Sequence, residues 1–437
     1  MEIMSARTFR LCKLCCLTAG VYLLAVVTSF AGLVLQKVPP LTVEQAPAYP
    51  ENLARYYLGA RVEADPGSNS TDSKAENRNG AEATLLCGDP TVGYALSDGS
   101  KTVLISLSQI EQIDTISFLT HDVKGDVTIS TSNAKLPADS PQWHMVSQQE
   151  LTADAVKAKV GPSEAKYIKL TFNVTQPGRI ASLGVYSMPT VAAFTMPRAR
   201  KHNVNQTDSF GLISYNLTDV HAKARALYVS SGDDIKGANN MIDDQPSTAY
   251  TFASSDTSPT AVIDLGKVTR LRRISTLYSP RSGNVEFFVL ESLPASHPEN
   301  APKTLKLDDS ASASMKSVGL VMDNGTGHAA IDFPETTGRY VMVKWSPAAQ
   351  DAPFSVSEIA AFGGSKTGNL IAANTTSAAR EAAEFDGKTV AEGKDLGSGK
   401  DFGKEMPEEG PPEEGPAPPL PDPPPFTFIP EVLPLSP

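Results

Sequence analysis

The chain has little cysteine, no long basic segment and none of the common catalytic motifs. Of its 437 residues only four are cysteines, and three of these precede residue 17, so Cys87 stands alone in the remainder. A disulfide bond within a folded domain is therefore excluded. The net charge of −11, with no Lys/Arg-rich segment after the N-terminus, argues against nucleic acid as a partner, because phosphate binding needs a positive surface.

The sequence also lacks a glycine-rich phosphate loop, a zinc-ligand set and a nucleophile elbow, so we predict that the chain is not an enzyme. It has no long amphipathic helical pattern. Short segments rich in Val, Ile, Thr, Tyr and Phe alternate with turns rich in Gly, Pro, Asn, Asp and Ser, which is typical of an all-β protein. The clearest predicted strands are 102–107, 115–119, 126–130, 167–174, 261–265, 274–278, 285–290 and 340–345.

Two segments of about 140 residues repeat each other, and a duplication of that length is domain-sized rather than a solenoid repeat. The second copy is the better preserved. The matched segments are 52–54 and 216–218, 88–94 and 244–250, 102–107 and 260–265, 166–170 and 339–343, and 182–186 and 358–362. The repeat predicts two domains of one fold.

The N-terminus carries a membrane signal. Three basic residues precede an uncharged apolar segment, 14–35, of about 22 residues, which is long enough to cross a bilayer as a helix. Positive charge before the segment keeps the N-terminus in the cytoplasm and exports the remainder. We therefore predict a single-pass cell-membrane protein whose bulk is extracytoplasmic.

A cleaved signal peptide is the competing interpretation of this segment, and it would make the protein secreted. Ser29, Phe30 and Ala31 form a small-x-small pattern that is typical of a cleavage site. We favour the uncleaved anchor because residues 32–35 continue the apolar segment beyond that site.

Composition divides the chain further. The C-terminal tail, residues 365–437, ends in an acidic, proline-rich segment. It cannot bury enough apolar surface to offset its chain entropy, so we expect it to be disordered with polyproline II character. Proline-rich tails of this kind can bind a protein partner. The predicted regions are a cytoplasmic segment 1–13, a transmembrane helix or signal segment 14–35, a spacer 36–51, a first domain 52–187, a linker 188–215, a second domain 216–364 and a disordered tail 365–437.

Four landmarks of the second copy occur in an order that is characteristic of one family. The segment from Gly237 to Tyr250 is similar to Ala-x-Asn-Ala-hydrophobic-Asp-Gly-Asp-x-x-Thr-x-Trp, and the others are Val262-Ile263-Asp264-Leu265-Gly266, Gly338-Arg339-Tyr340-Val341 and Ser357-Glu358-Ile359. The copy resembles the discoidin, or coagulation-factor C-type, domain of the galactose-binding-like superfamily. The resemblance implies two tandem jelly-roll β-sandwiches, the first degenerate.

Many domains of this family hold a structural Ca²⁺ at the Asp-Gly-Asp-x-x-Thr turn, closed by a Glu from the last strand, because a hard cation needs converging oxygen atoms. The resemblance places the ligands in the second copy at Asp243, the carbonyl of Gln245, Thr248 and Glu358. The first copy has Cys87, Val92 and Ser182 at the positions of Asp243, Thr248 and Glu358, so at most one Ca²⁺ is expected. Asp244, where the family prefers Gly, and Tyr250, where it has Trp, depart from the pattern.

Members of the family are usually binding modules, and fold alone does not supply a ligand. The resemblance implies a non-catalytic protein that recognises a glycan or another cell-surface component, as in cell adhesion. The alternative is a structural or scaffolding protein that makes protein–protein contacts at the cell envelope. Tyr56-Tyr57, Phe252, Tyr278 and Arg281 could contact a sugar from loops, although most aromatic side chains of a sandwich fill its core.

Overall fold

A computed structural model of the chain describes residues 32–65, 82–151, 154–189, 191, 216–294, 302–308, 315–349 and 352–363. The predicted cytoplasmic segment, residues 14–31 of the apolar segment, most of the linker and the tail lie outside these residues. Both sheets belong to one compact unit, Met1–Asp386, and the second unit, Gly387–Pro437, lies outside the described residues.

The first copy folds as a seven-stranded antiparallel sheet that closes on itself as a sandwich. Two long strands make this possible, because each changes its pairing register at an irregularity near its middle and so contributes to two layers. The strands are β2 (Arg61–Ala64), β3 (Gly93–Leu96), β4 (Gly99–His121), β5 (Lys124–Ser132), β6 (His144–Glu150), β7 (Ala155–Gln176) and β8 (Gly178–Ser187).

The layers of the first sandwich follow from these pairings. The N-terminal half of β4 pairs with β2 and with the C-terminal half of β7, which continues to β5 and β6. The C-terminal half of β4 pairs with the N-terminal half of β7 and with β8, which continues to β3. Ile168, Leu170 and Phe172 of β7 are fully buried and alternate with partly exposed residues, so one face of each layer points into the core.

The second copy forms a nine-stranded sheet with the same plan. Its long strands β11 (Thr260–Tyr278) and β15 (His328–Pro347) correspond to β4 and β7. The strands are β1 (Leu33–Lys37), β9 (Arg225–Val229), β10 (Tyr250–Phe252), β11 (Thr260–Tyr278), β12 (Ser282–Leu290), β13 (Thr304–Leu307), β14 (Ser317–Asn324), β15 (His328–Pro347) and β16 (Phe354–Phe362). Short 3₁₀ helices span Val43–Ala48, Tyr56–Leu58, Glu82–Leu86, Val220–Ala222 and Ile235–Met241.

Residues matched by the duplication pair in matching ways. Ile105 lies opposite Ile168 in the first sheet, and the equivalent Ile263 lies opposite Val341 in the second. All eight predicted strand segments lie within strands of the structure, but 102–107 and 115–119 are two halves of β4, and 261–265 and 274–278 are two halves of β11. Each long strand continues through its bulge, although the sequence pattern predicted two separate strands there.

A repeated asparagine has the same structural role in both copies. The Oδ1 atom of Asn52 accepts hydrogen bonds from the backbone N–H groups of Ala54 at 3.1 Å and Val185 at 3.0 Å. The Oδ1 atom of Asn216 accepts from Thr218 and Ala361, both at 3.1 Å. Each asparagine therefore ties the entry of its sandwich to the last strand of that sandwich.

The N-terminal part of the described chain differs from the prediction. Residues 33–37 form β1, which pairs with β9 and β13 of the second sandwich, so residues 33–35 do not continue a membrane helix. Leu35 is completely buried there with Tyr228, Val262 and Tyr340. Its burial is worth about 2 kcal/mol. Among the described residues, no helix is long and apolar enough to cross a membrane.

The predicted spacer 36–51 is likewise part of the folded body. Val38 and Tyr49 are buried in the core of the second sandwich, and Ala46 of the intervening 3₁₀ helix is 1% exposed. The prediction failed because the prolines of this segment suggested extension, whereas apolar side chains between them have a core to enter. The second domain therefore includes chain from both sides of the first.

Candidate functional site

The turn after the 3₁₀ helix Ile235–Met241 brings three of the four predicted ligands together. The hydroxyl of Thr248 lies 2.9 and 3.0 Å from the two carboxylate oxygens of Asp243 and 2.9 Å from the carbonyl oxygen of Gln245. The Asp243 carboxylate also accepts a hydrogen bond from the Gln245 backbone N–H at 3.1 Å. A carboxylate, a hydroxyl and a carbonyl oxygen therefore meet inside one turn of six residues.

Glu358, the fourth predicted ligand, lies on β16 and is 2% exposed. Neither of its carboxylate oxygens has a hydrogen-bond partner among the described residues. Burial, followed by the nearby charges of Asp243, Asp244 and Asp219, raises the pKa of Glu358 well above its usual value. Burial raises the pKa of Asp243 in the same way, although Thr248 and Gln245 oppose the shift.

A fourth buried carboxylate, Asp219, belongs to the same acidic centre, which comprises Asp219, Asp243, Asp244 and Glu358. Asp219 precedes the 3₁₀ helix Val220–Ala222 and accepts a hydrogen bond from the backbone N–H of His221 at 2.7 Å. Burial raises the pKa of Asp219 to about 6. The ring nitrogens of the buried His221 have no hydrogen-bond partner in the described part of the chain.

The positive charge that faces this centre comes from the first sandwich. Arg55 is 1% exposed, and its guanidinium forms a two-pronged pair with Asp244, with Nε 2.6 Å from Oδ2 and Nη2 bonded to Oδ1. Asn52 donates to the same carboxylate at 3.3 Å, and the hydroxyl of Tyr186 donates to the carbonyl of Asp244 at 2.8 Å. Three side chains of the first sandwich thus hold one residue of the second.

The conformation of Asp244 explains its departure from the family pattern. Its φ of 56° is left-handed, and the equivalent Gly88 of the first copy has a φ of 73°. Aspartate is one of the few residue types that tolerate this region. A Cβ atom on Gly88 would lie 3.3 Å from the Nε of Arg55, so Arg55 lies between the two equivalent turn positions. The carboxylate of Asp244 provides the partner that glycine lacks.

The first copy keeps the turn but not the oxygen ligands. The backbone N–H of Val92 donates to the carbonyl of Asp89 at 3.3 Å, as that of Thr248 donates to Gln245 at 2.9 Å. Cys87 and Val92 form a small buried apolar cluster instead. Burial raises the pKa of the Cys87 thiol to about 12, so it carries no charge at neutral pH.

This first turn is met in return by an arginine of the second sandwich. The Nε of Arg273, on β11, lies 2.7 Å from Asp89, and its other nitrogens reach Asp332 at 2.8 Å and Thr91 at 3.2 Å. Burial alone would raise the pKa of Asp89, but Arg273 and the hydrogen bonds from Thr91 hold it below its usual value. Two buried arginine–aspartate pairs therefore join the sandwiches.

Of the aromatic candidates for sugar contact, Phe252 and Tyr278 lie in the core, whereas Tyr56 and Tyr57 are partly exposed. Phe252 is 1% exposed and packs against Tyr250, Trp345 and Phe354, while Tyr278 is 5% exposed and donates to Asp323 at 2.7 Å. Arg281 donates to the carbonyl oxygens of Ala349 and Pro353. In the described residues every Phe, Tyr and Trp is at least partly buried.

The acidic centre combines carboxylate, hydroxyl and carbonyl oxygen atoms, which are the ligand types that a hard cation takes. Three of its carboxyl groups, those of Asp219, Asp243 and Glu358, have raised pKa values, and each is costly to ionise in a buried position. A calcium ion would neutralise them and accept oxygen ligands of all three kinds present. No three His, Cys, Asp or Glu side chains of the described residues are placed to hold one metal ion, so the hydroxyl and carbonyl oxygens would have to complete the ligand set.

No protein-family model and no curated protein matches this sequence. Solved structures that it matches include a Ruminococcus gnavus GH29 fucosidase in complex with fucose, at 19% identity over 35% of this chain and 27% of the fucosidase, with a TM-score of 0.28. Striped bass (Morone saxatilis) serum fucolectin matches at 13% identity over 72% of this chain and 99% of its own, with a TM-score of 0.24.

Allantoicase from Saccharomyces cerevisiae matches at 14% identity over 74% of this chain and 96% of its own, with a TM-score of 0.25. The chain therefore spans about a quarter of the fucosidase and nearly all of the lectin and the allantoicase. At TM-scores below 0.5 these similarities carry no argument about the ligand or the activity of this chain.

Sequence reasoning missed Arg55, Asp219 and Tyr186. The sequence did contain a signal for Arg55 and Asp219. They occupy equivalent positions, three residues after the repeated asparagine, and carry opposite charges. A charge reversal between two copies indicates that the position has a different function in each. Nothing in the sequence indicated that Tyr186 reaches across to the other sandwich.

Proposed function

We propose that this chain is a non-catalytic, exported binding protein that recognises a glycan or another surface component through loops of its second sandwich. The observation that supports this proposal most directly is the turn containing Asp243, Gln245 and Thr248, whose oxygen atoms meet as the discoidin resemblance implies. In such modules the ligand is held by loops at one end of the sandwich, and the turn supports their conformation.

The same turn is proposed to hold a single structural Ca²⁺ in the second sandwich. Asp243, Thr248, the carbonyl of Gln245 and Glu358 would be its ligands. The unpartnered, buried carboxylate of Glu358 supports this assignment, because a cation would supply the charge compensation that hydrogen bonds do not. The first sandwich, with Cys87 and Val92 in place of two ligands, is proposed to hold none.

A scaffolding function is the second candidate, and the surface of β14 favours it. This strand lies at the edge of the second sheet, and its Leu320 and Met322 are 54% and 75% exposed on the same face. An edge strand offers unpaired backbone groups to another chain. No aromatic ring in the described residues is as exposed as these two side chains. The exposed apolar surface therefore suits contact with a protein better than stacking against a sugar.

The two functions are separated by testing the full chain on a glycan array with calcium and again with EDTA. The binding proposal expects calcium-dependent retention on one glycan class. It also expects calcium to raise the melting temperature. At a calcium concentration 100 times its Kd, the folded state should be stabilised by about 2.7 kcal/mol. Asp243→Asn should lose both effects, whereas Asp139→Asn, a surface change in the first sandwich, should lose neither.

Absence of both glycan binding and a calcium-dependent melting shift would overturn the binding proposal together with the metal site. A calcium-dependent rise in melting temperature without glycan binding would support the metal site and contradict glycan recognition. The scaffolding candidate would then be tested with Leu320→Lys and Met322→Lys, which should abolish association with an envelope protein that the wild type retains.

A further inference from the structure

The first residues of the described chain are committed to the second sandwich. Leu33, Val34, Leu35 and Gln36 of β1 lie opposite successive residues of β13, and Gln36 and Lys37 pair with β9 on the other side. A strand paired on both edges cannot leave the sheet without losing hydrogen bonds along both. Residues 33–35, predicted as the end of a membrane segment, are therefore part of the sheet.

The packed body extends back as far as Gly32. A Cβ atom at this position would lie 2.9 Å from the carbonyl oxygen of Leu307, closer than side chains approach in folded proteins. The chain thus enters the sandwich at Gly32 and leaves no spacer between that residue and β1.

Because residues 32–35 belong to the folded sandwich, they are not available to a membrane segment. This leaves residues 14–31, which is near the lower limit of about 17 residues for a segment that crosses a bilayer. Residues 14–28 instead have the length of a signal-peptide apolar region, preceded by Arg7, Arg10 and Lys13. Ser29 and Ala31 are the two small residues that such a site requires, and the next residue is Gly32.

We propose that the peptide bond between Ala31 and Gly32 is hydrolysed during export by a signal-peptidase type of membrane protease. Water adds across the amide, so the C–N bond breaks, Ala31 retains the new carboxylate and Gly32 the new amine. The cut precedes folding, because the exported chain crosses the membrane before β1 pairs. The mature protein begins at the first packed residue and carries no N-terminal anchor.

The experiment expresses the full chain with a C-terminal affinity tag in a secreting bacterial host, fractionates the cells, and determines the N-terminus by Edman sequencing and intact mass. We expect Gly32 as the N-terminus, in the soluble extracytoplasmic fraction. An N-terminus at Met1 in the membrane fraction would overturn the proposal in favour of the anchor. So would a mature N-terminus at any other residue.

Ala31→Arg provides the decisive variant, because it replaces the small residue at the cut while leaving β1 unchanged. We expect at least a tenfold drop in the processed fraction and retention in the membrane. Phe30→Leu is the matched control, since the middle position of a small-x-small site accepts large residues, and it should be processed like the wild type. Equal processing of Ala31→Arg and the wild type would contradict a cut at this bond. Neither result depends on the ligand of the sandwiches.

Discussion

The turn around Cys87 and the turn around Asp243 are two solutions for one backbone. Both are closed by the same hydrogen bond, at Val92 in the first and Thr248 in the second, and both pass through a left-handed residue. In the first an apolar thiol and an isopropyl group fill the space, whereas in the second a carboxylate and a hydroxyl do so. The comparison shows that the turn geometry persists without the oxygen ligands, so geometry alone does not identify a metal site.

The two turns also differ in how the other sandwich neutralises them. Arg273 faces one carboxylate, Asp89, and has a second partner in Asp332 near the surface. Arg55 faces Asp244 within a centre of four buried carboxylates. The second turn therefore has more buried carboxyl groups than cationic partners, and loss of its one arginine is expected to have the largest effect of any variant.

The largest effect is expected for Arg55→Ala. It leaves Asp244 buried without its cationic partner, which costs about 3–5 kcal/mol of unfolding free energy. Urea denaturation of the full chain measures the loss. Arg339→Ala, which removes a partly exposed pair with Asp264, is the control and should cost no more than about 1 kcal/mol.

A double variant sharpens this prediction. Arg55→Ala combined with Asp244→Gly removes both charges and restores the glycine that the first turn has, so it should be more stable than Arg55→Ala alone. Equal losses in the single variant and in Arg339→Ala would show that the buried pair does not join the sandwiches.

The next effect concerns Glu358→Gln and its pH dependence in EDTA. The pKa of Glu358 is raised in the folded protein, so the folded state keeps a proton that the unfolded chain loses above about 4.5. Wild-type stability should fall as the pH rises from that value toward the raised pKa, by about 1.4 kcal/mol for each unit of difference.

Glu358→Gln removes the titrating group, so its melting temperature should depend less on pH across the same range. Asp219→Asn gives a second comparison, with its window ending at a pH of about 6. A wild type whose stability rises from pH 4.5 to 7 in EDTA would show that the acidic centre is compensated in another way.

A smaller effect is expected when the turns are exchanged at one position. Thr248→Val gives the second turn the residue of the first and removes the hydroxyl that contacts Asp243, at a cost of about 1–2 kcal/mol. The calcium-dependent melting shift should disappear with it. Val92→Thr makes the reverse change in the first turn and should create no calcium response, because Cys87 stands there in place of Asp243 and Arg273 already neutralises Asp89.

The smallest effect concerns the reactivity of Cys87. Burial and a pKa of about 12 keep this thiol uncharged, so in a variant with Cys12, Cys15 and Cys16 replaced by Ser, native Cys87 should react with Ellman's reagent at pH 8 only as fast as the fold opens. Labelling should become immediate in 6 M guanidinium chloride. Fast labelling of the native protein would mean that the first turn is open to solvent.

Local patterns carried much of the fold, since all eight predicted strand segments lie in strands and the repeated asparagines bind equivalent backbone groups. Three of the predicted ligands meet because they lie within six residues of one another, where spacing alone constrains geometry. Glu358 comes from a strand more than a hundred residues later, and the resemblance, not periodicity, indicated it. Leu33 and Leu35 were wrongly predicted to belong to the membrane segment, because the buried strand that follows this segment is also apolar and no change of composition marks the boundary.

Residue pattern and identity were enough to predict that the chain is β-rich, that it contains two copies of one pattern, and that the second copy alone has Asp, Thr and Glu at the three compared positions. These properties depend on alternation and on residue identity, which are local. The pairing of Arg55 with Asp244, the pairing of Arg273 with Asp89 and the place of β1 in the second sandwich follow from the three-dimensional packing and not from these patterns. Such contacts join residues up to some 270 positions apart, and it is packing of two curved sheets, rather than any sequence period, that brings them together.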